Sequence, residues 1–174
     1  MKKTLMALTL ASLFMAGVAQ AENDSATVNI SGSVTPDQNE CAVTTLRSTV
    51  ELNNSKIADL PTQGQDATAG AAIDYTIESG GAGSCIGSIA LVLHGEADNA
   101  DGTTLANTDP NASAAKGVGL GLFDSSYKPL DINNNQVTPK AKTGVLYMQA
   151  VKLNGQTPVE GTLFGSLTID IVRL

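Results

Sequence analysis

The stretch Gly161-Thr-Leu-Phe-Gly-Ser-Leu-Thr-Ile-Asp-Ile-Val-Arg-Leu174 decides the fold. Leu163, Leu167, Ile169 and Ile171 fall on one face of an extended chain, and Thr162, Ser166, Thr168 and Asp170 fall mostly on the other. A period of two is what a half-buried β-strand requires. A second alternation, Val28, Ile30, Gly32 and Val34, lies near the opposite end of the sequence.

Between these stretches the pattern stays that of strands. Short runs of Val, Ile, Leu and Tyr are punctuated by Gly, Asn, Asp, Ser and Thr, which predicts an all-β antiparallel sandwich in a single domain. Strands are expected over 27–34, 41–46, 49–52, 71–79, 88–94, 117–124 and 145–153. A short 3₁₀ piece is expected near Ile57–Leu60. Ile73, Tyr75 and Ile77 form one apolar face. Ser88-Ile-Ala-Leu-Val-Leu-His94 is continuous enough to be covered on both faces. Gly117-Val-Gly-Leu-Gly-Leu-Phe-Asp124 reads as a strand with one bare face. Residues 95–115 read as a long surface connection, and Asn154-Gly155 as a hairpin turn into the terminal strand.

The first residues do not belong to this pattern. Lys2 and Lys3 precede an apolar run, and Ala19-Gln20-Ala21 is an A-x-A site. Residues 1–21 are expected to be an export leader cut between Ala21 and Glu22. No later segment approaches the ~20 apolar residues of a membrane span. The formal net charge is −7, and removal of Lys2 and Lys3 makes it two more negative. That balance disfavours a nucleic-acid partner. Cys41 and Cys85 both follow the leader, and an even pair in an exported chain reads as a disulfide.

The sequence offers no catalytic constellation. His94 is the only histidine, so neither a multi-histidine metal site nor a triad with an oriented base can be assembled around it. No serine stands in a G-x-S-x-G elbow. Gly117-x-Gly119-x-Gly121 lacks the G-x-G-x-x-G spacing of a phosphate loop. Glu96, Asp98 and Asp101-Gly102 lack the alternation of a calcium loop. No cofactor, metal or enzymatic activity is expected.

Taken in order, several motifs resemble the type 1 pilin family, fimbrial subunits assembled by the chaperone–usher route. They are Thr27-Val-Asn-Ile-Ser-Gly-Ser-Val34, Cys41-Ala-Val43, Cys85 after the strand beginning at Ala71, Val118-Gly-Leu-Gly-Leu-Phe-Asp124, Tyr147-Met-Gln-Ala150 and Gly161. The resemblance implies an immunoglobulin-like sandwich that lacks its last strand and exposes a groove. A periplasmic chaperone would fill that groove first, and the N-terminal extension of a neighbouring subunit afterwards. It divides the chain into a leader (1–21), a donor extension (22–34) and a pilin domain (35–174).

By the same correspondence Val28, Ile30 and Val34 are donor side chains, with Gly32 the donor glycine over a shallow pocket. Gly161, Leu163, Leu167, Ile169, Ile171 and Arg173 belong to the strand bordering the groove. The Cys41–Cys85 pair would tie the first two strands. Arg173 departs from the family, which usually has an aromatic residue there. The implied function is a structural subunit of a surface fimbria supporting cell adhesion. Its implied partners are chaperone, outer-membrane usher and neighbouring pilins. A minor, terminating or adhesive subunit acting as a ligand-binding module is the alternative.

Overall fold

The computed structural model describes residues 26–31, 41–80 and 84–174. Two sheets of five strands each face one another. The strands in chain order are β1 (Ala26–Ser31), β2 (Cys41–Thr45), β3 (Thr49–Leu52), β4 (Ala71–Ser79), β5 (Ile89–His94), β6 (Val118–Phe123), β7 (Pro129–Leu130), β8 (Gln136–Val137), β9 (Thr143–Lys152) and β10 (Phe164–Arg173). The one helical element among the described residues is the 3₁₀ turn Ile57–Asp59. The expected all-β immunoglobulin-like sandwich is the architecture found.

The first sheet has the order β3-β1-β10-β5-β8 and the second β2-β4-β9-β6-β7. The second is antiparallel throughout. The first is antiparallel except at β1, which runs parallel to β10. β2 and β3 are nearly continuous in sequence, yet β2 pairs in one sheet and β3 in the other. The short connection at Leu46–Ser48 therefore carries the chain across the sandwich.

Period-two alternation fills the core. Ile73, Tyr75 and Ile77 of β4 are buried, as are Leu146 and Met148 of β9 and Leu167 and Ile169 of β10. In β5 all residues from Ile89 to Leu93 are buried, so both of its faces are covered as expected. Removing such side chains from water, at about 25 cal/mol per Å² of apolar surface, is the main favourable term in folding.

The sequence reading is corrected at three places. First, the glycine face of β6 is not bare, because all six residues of the strand are buried. A Cβ at Gly119 would come within 2.6 Å of Thr104 Oγ1, and one at Gly121 within 2.8 Å of Val151 Cγ1. The glycines let neighbouring side chains close down on the strand. Second, residues 95–115 are not merely a surface connection. Leu105 bridges to Leu120 of β6 and is 1% exposed. Third, Asn154-Gly155 forms a turn, but the strands on either side of it, β9 and β10, lie in different sheets. A dipeptide signal fixes the local backbone, not the partner of the strand that follows.

The buried polar groups cross-link the long connections. Asp98 accepts hydrogen bonds from Gln63 Nε2 (2.9 Å), Ala100 N (2.8 Å) and Thr104 N (2.9 Å). Gln149 Oε1 accepts from Thr68 N (3.0 Å) and Ala69 N (3.2 Å). Asn107 Nδ2 donates to the carbonyls of Ala115 and Thr162, both at 2.9 Å. Such satisfied groups avoid the cost of an orphaned buried polar atom.

The two ends of the sandwich differ. Cys41 at the start of β2 is bonded to Cys85, which precedes β5, with Cα atoms 5.7 Å apart. The bridge thus joins the two sheets rather than two neighbouring strands of one. Ser79 of β4 and Arg173 of β10 lie toward this disulfide end. The starts of β6 and β10 and the end of β9 lie toward the opposite end.

Candidate functional site: the seat of β1 between β3 and β10

β10 is the wall that the sequence singled out. It pairs along Thr168–Arg173 with His94–Ile89 of β5. Its other edge, over Phe164–Thr168, takes β1. Leu167 and Ile169 are fully buried, and Leu163 and Ile171 are half-buried against the core. Gly165, the ladder partner of Val28, has Leu120 Cδ1 2.6 Å from where its Cβ would stand. Gly161 opens the approach to the strand. A Cβ there would come within 2.6 Å of the Ala114 carbonyl carbon, so only glycine lets the two backbones pass this closely.

The opposite wall is β3, which sequence reasoning read only as a strand. Its ladder with β1 matches Val28 to Val50 and Ala26 to Leu52. Val50 and Leu52 are buried in the core. The alternation of Thr49-Val-Glu-Leu52 carried that signal, but nothing in it told which strand would lie alongside. Among the described residues β3 has no other partner in its sheet, so there β1 alone joins it to β10.

The seat is occupied by the chain's own N-terminal stretch. Val28 and Ile30 lie in β1 at defined register positions, Ile30 opposite Leu167. Gly32 and Val34, and the expected cleavage point at Ala21 and Glu22, lie outside the described residues. The expectation that a neighbour's strand fills the groove therefore meets a chain whose own strand lies there, parallel to β10.

Arg173 is exposed at the last rung of the β10–β5 ladder, opposite Ile89. Leu174 N donates to Ser88 O at 3.0 Å, so the strand remains paired to its last residue. His94 stands at the other end of β5, with Nδ1 3.3 Å from Asn133 Oδ1 and Nε2 3.6 Å from Asp170 Oδ2. Among the described residues no group of three or more His, Cys, Asp or Glu is placed to hold a metal ion.

These features form a sandwich whose first sheet holds the chain's own β1 between β3 and β10, and the family comparison reaches nearly all of it. The profile of the fimbrial protein family matches residues 28–172, from β1 to the penultimate rung of β10. The chain belongs to the fimbrial protein family. A comparison with curated proteins finds no match. Membership makes this fimbrial protein a pilus subunit, a structural component of a surface appendage that assembles with other pilin subunits.

Proposed function

We propose that this fimbrial protein polymerises by exchanging β1: residues 22–34 of one copy leave their own body and complete the sandwich of the next. The observation that carries the reading is that β1, paired to β3 on one edge and to β10 on the other, is the strand that joins them among the described residues. Without it, β3 loses its sheet and the Phe164–Thr168 edge of β10 is unpaired. An open edge over buried apolar side chains is a template for strand addition.

The direction of β1 also supports exchange. Ser31 is tethered through the covalent chain to Cys41 at the disulfide end, and β1 runs parallel to β10. Parallel pairing is slightly less stable per residue than antiparallel pairing. A strand from another copy has no such tether and can run antiparallel to β10, which favours replacement of the self-paired strand. On this reading 22–34 is the donor extension, 35–174 the pilin domain, and 1–21 an export leader. In the periplasm a chaperone holds the same edge before an outer-membrane usher passes the subunit on. Val28, Ile30 and Val34 serve as donor side chains, and Gly32 as the residue that must stay bare.

The test is polymerisation of Gly32→Arg and Ile169→Asp variants. Gly32→Arg is expected to remain folded with the chaperone yet fail to donate. Ile169→Asp is expected to lose chaperone capture and be degraded. Wild-type fibre yield from Gly32→Arg would defeat the donor assignment. So would a purified monomer that never exchanges β1 with added 22–34 peptide.

A further inference from the structure

The sequence holds a single Asn-Gly pair, Asn154-Gly155. Both residues are exposed on the connection from β9 to β10. Gln156 N closes the turn on Leu153 O at 3.3 Å. Gly155 stands at the third position of that turn with φ +71°, the left-handed conformation that a type II turn requires there. The turn's hydrogen bond uses Gln156 N and leaves Gly155 N outside it. No heavy atom lies within 4 Å of where a Cβ on Gly155 would stand, so this side of the turn is open.

Asn154 is also a tie between two loops. Its Nδ2 donates to Asp101 Oδ2, and its backbone N donates to Gln63 Oε1 at 3.2 Å. Gln63 Nε2 in turn donates to Asp98 Oδ2 at 2.9 Å and to Thr103 Oγ1 at 2.8 Å. Asp101 N donates to Asp98 Oδ1 at 3.1 Å. A second bond, from Gln156 Nε2 to Asn99 Oδ1 at 2.7 Å, runs beside the first. The Asn154 carboxamide thus fastens the 98–104 loop to the connection that leads into β10.

We propose that Asn154 is a deamidation site, restrained by Asp101, whose conversion unfastens this loop irreversibly. Gly155 N attacks Asn154 Cγ. The new N–Cγ bond replaces the Cγ–Nδ2 bond, and the departing amide takes the proton from Gly155 N and leaves as ammonia. Water then opens the five-membered succinimide at either carbonyl, giving aspartate or isoaspartate at 154. Water enters, ammonia leaves, and nothing is oxidised or reduced. Glycine as the following residue has no side chain to crowd the attack. Ring closure requires the carboxamide to turn toward Gly155 N, and the bond to Asp101 opposes that rotation. Asp101-Gly102 has a related form, with φ +70° at Gly102. A carboxylate is a weaker electrophile than a carboxamide, so Asn154 converts first. The product has no amide donor and sets a carboxylate against that of Asp101, where like charges repel. The tie cannot re-form, and isoaspartate also lengthens the main chain within the turn.

The experiment ages purified full-length protein in mildly alkaline buffer and maps its peptides by mass spectrometry. The peptide containing Asn154 is expected to gain the amide-to-acid mass difference before any peptide carrying another asparagine. Asp101→Ala, checked by thermal melting to be folded, is expected to convert about threefold to tenfold faster, the worth of one hydrogen bond. Asn154→Gln, whose longer side chain must close a less favourable six-membered ring, is expected to resist. Aged parent and fresh Asn154→Asp are expected to share faster amide exchange over 99–104. The site is refuted if Asn154 stays intact in the folded chain over an interval that fully converts a free 150–158 peptide. It is refuted equally if Asn53, Asn54, Asn133, Asn134 or Asn135 converts first. A folded Asp101→Ala that converts at the parent rate overturns the restraint, and unchanged exchange over 99–104 in Asn154→Asp overturns the unfastening. None of these outcomes bears on strand exchange.

Discussion

Ile30 of β1 is the ladder partner of Leu167 of β10, in parallel register and within one chain. Leu167 is fully buried, so truncating it opens a cavity beneath the seat of β1. Leu167→Ala is expected to lower stability by about 2–5 kcal/mol, measured by denaturant unfolding. Deleting 22–34 is expected to do more. It should yield a soluble monomer only when a 22–34 peptide is supplied in trans. A deletion variant as stable as the full chain would show that β1 contributes little to the sheet.

The Cys41–Cys85 bridge closes a loop with a sequence separation of 44 and joins the two sheets. The chain-entropy account gives about 4 kcal/mol of stabilisation for such a loop. A Cys41→Ala/Cys85→Ala variant is expected to melt well below the parent, and reduction of the parent should match it. Equal melting temperatures would mean that the bridge constrains an unfolded state already compact.

Asp98 gives stability a defined acid limit. Burial alone would raise its carboxyl. Hydrogen bonds from the backbone N–H groups of Thr104 and Ala100, and from the Thr104 hydroxyl, outweigh that and hold it below the ordinary carboxylate range. A folded-state pKa below the unfolded one contributes stability that is fully present above the unfolded value, about 3.9. It is lost as pH falls through the lower folded value. Stability is therefore expected to decline faster below about pH 4 in the parent than in Asp98→Asn. The Asn variant should also be less stable at neutral pH by about 1–3 kcal/mol. Parallel pH profiles would rule out Asp98 as the source.

Gly161 is held against backbone rather than against movable side-chain tips. The atoms that a Cβ would meet belong to the main chain of Ser113, Ala114 and Ala115. Gly161→Val is expected to push the 113–115 segment away and break the hydrogen bonds from Ala115 N to Thr162 O (2.9 Å) and from Thr162 N to Ser113 O (3.0 Å). Faster amide exchange at Ala115 and Thr162 is the readout, with a destabilisation of about 1–3 kcal/mol.

Much of this molecule follows from residue order alone. The alternations at 71–79 and 163–171, the continuous run at 88–94 and the two cysteines determine an all-β sandwich with a disulfide, because side-chain direction in a strand has period two whatever the strand pairs with. The strand of the terminal stretch and the burial of Leu167 and Ile169 were legible for the same reason. Arg173 was legible as a departure, but not as the last rung of a ladder opposite Ile89.

Only the tertiary structure decided what lies next to what. It covered the glycine face of β6 with Thr104 and Val151 and drew Leu105 into the core. It sent the chain after Asn154-Gly155 into the other sheet and made β3 the second wall of the seat. It also laid β1 parallel to β10 in its own body. Each of these depends on contacts between residues distant in sequence, and local periodicity carries no information about partner or direction.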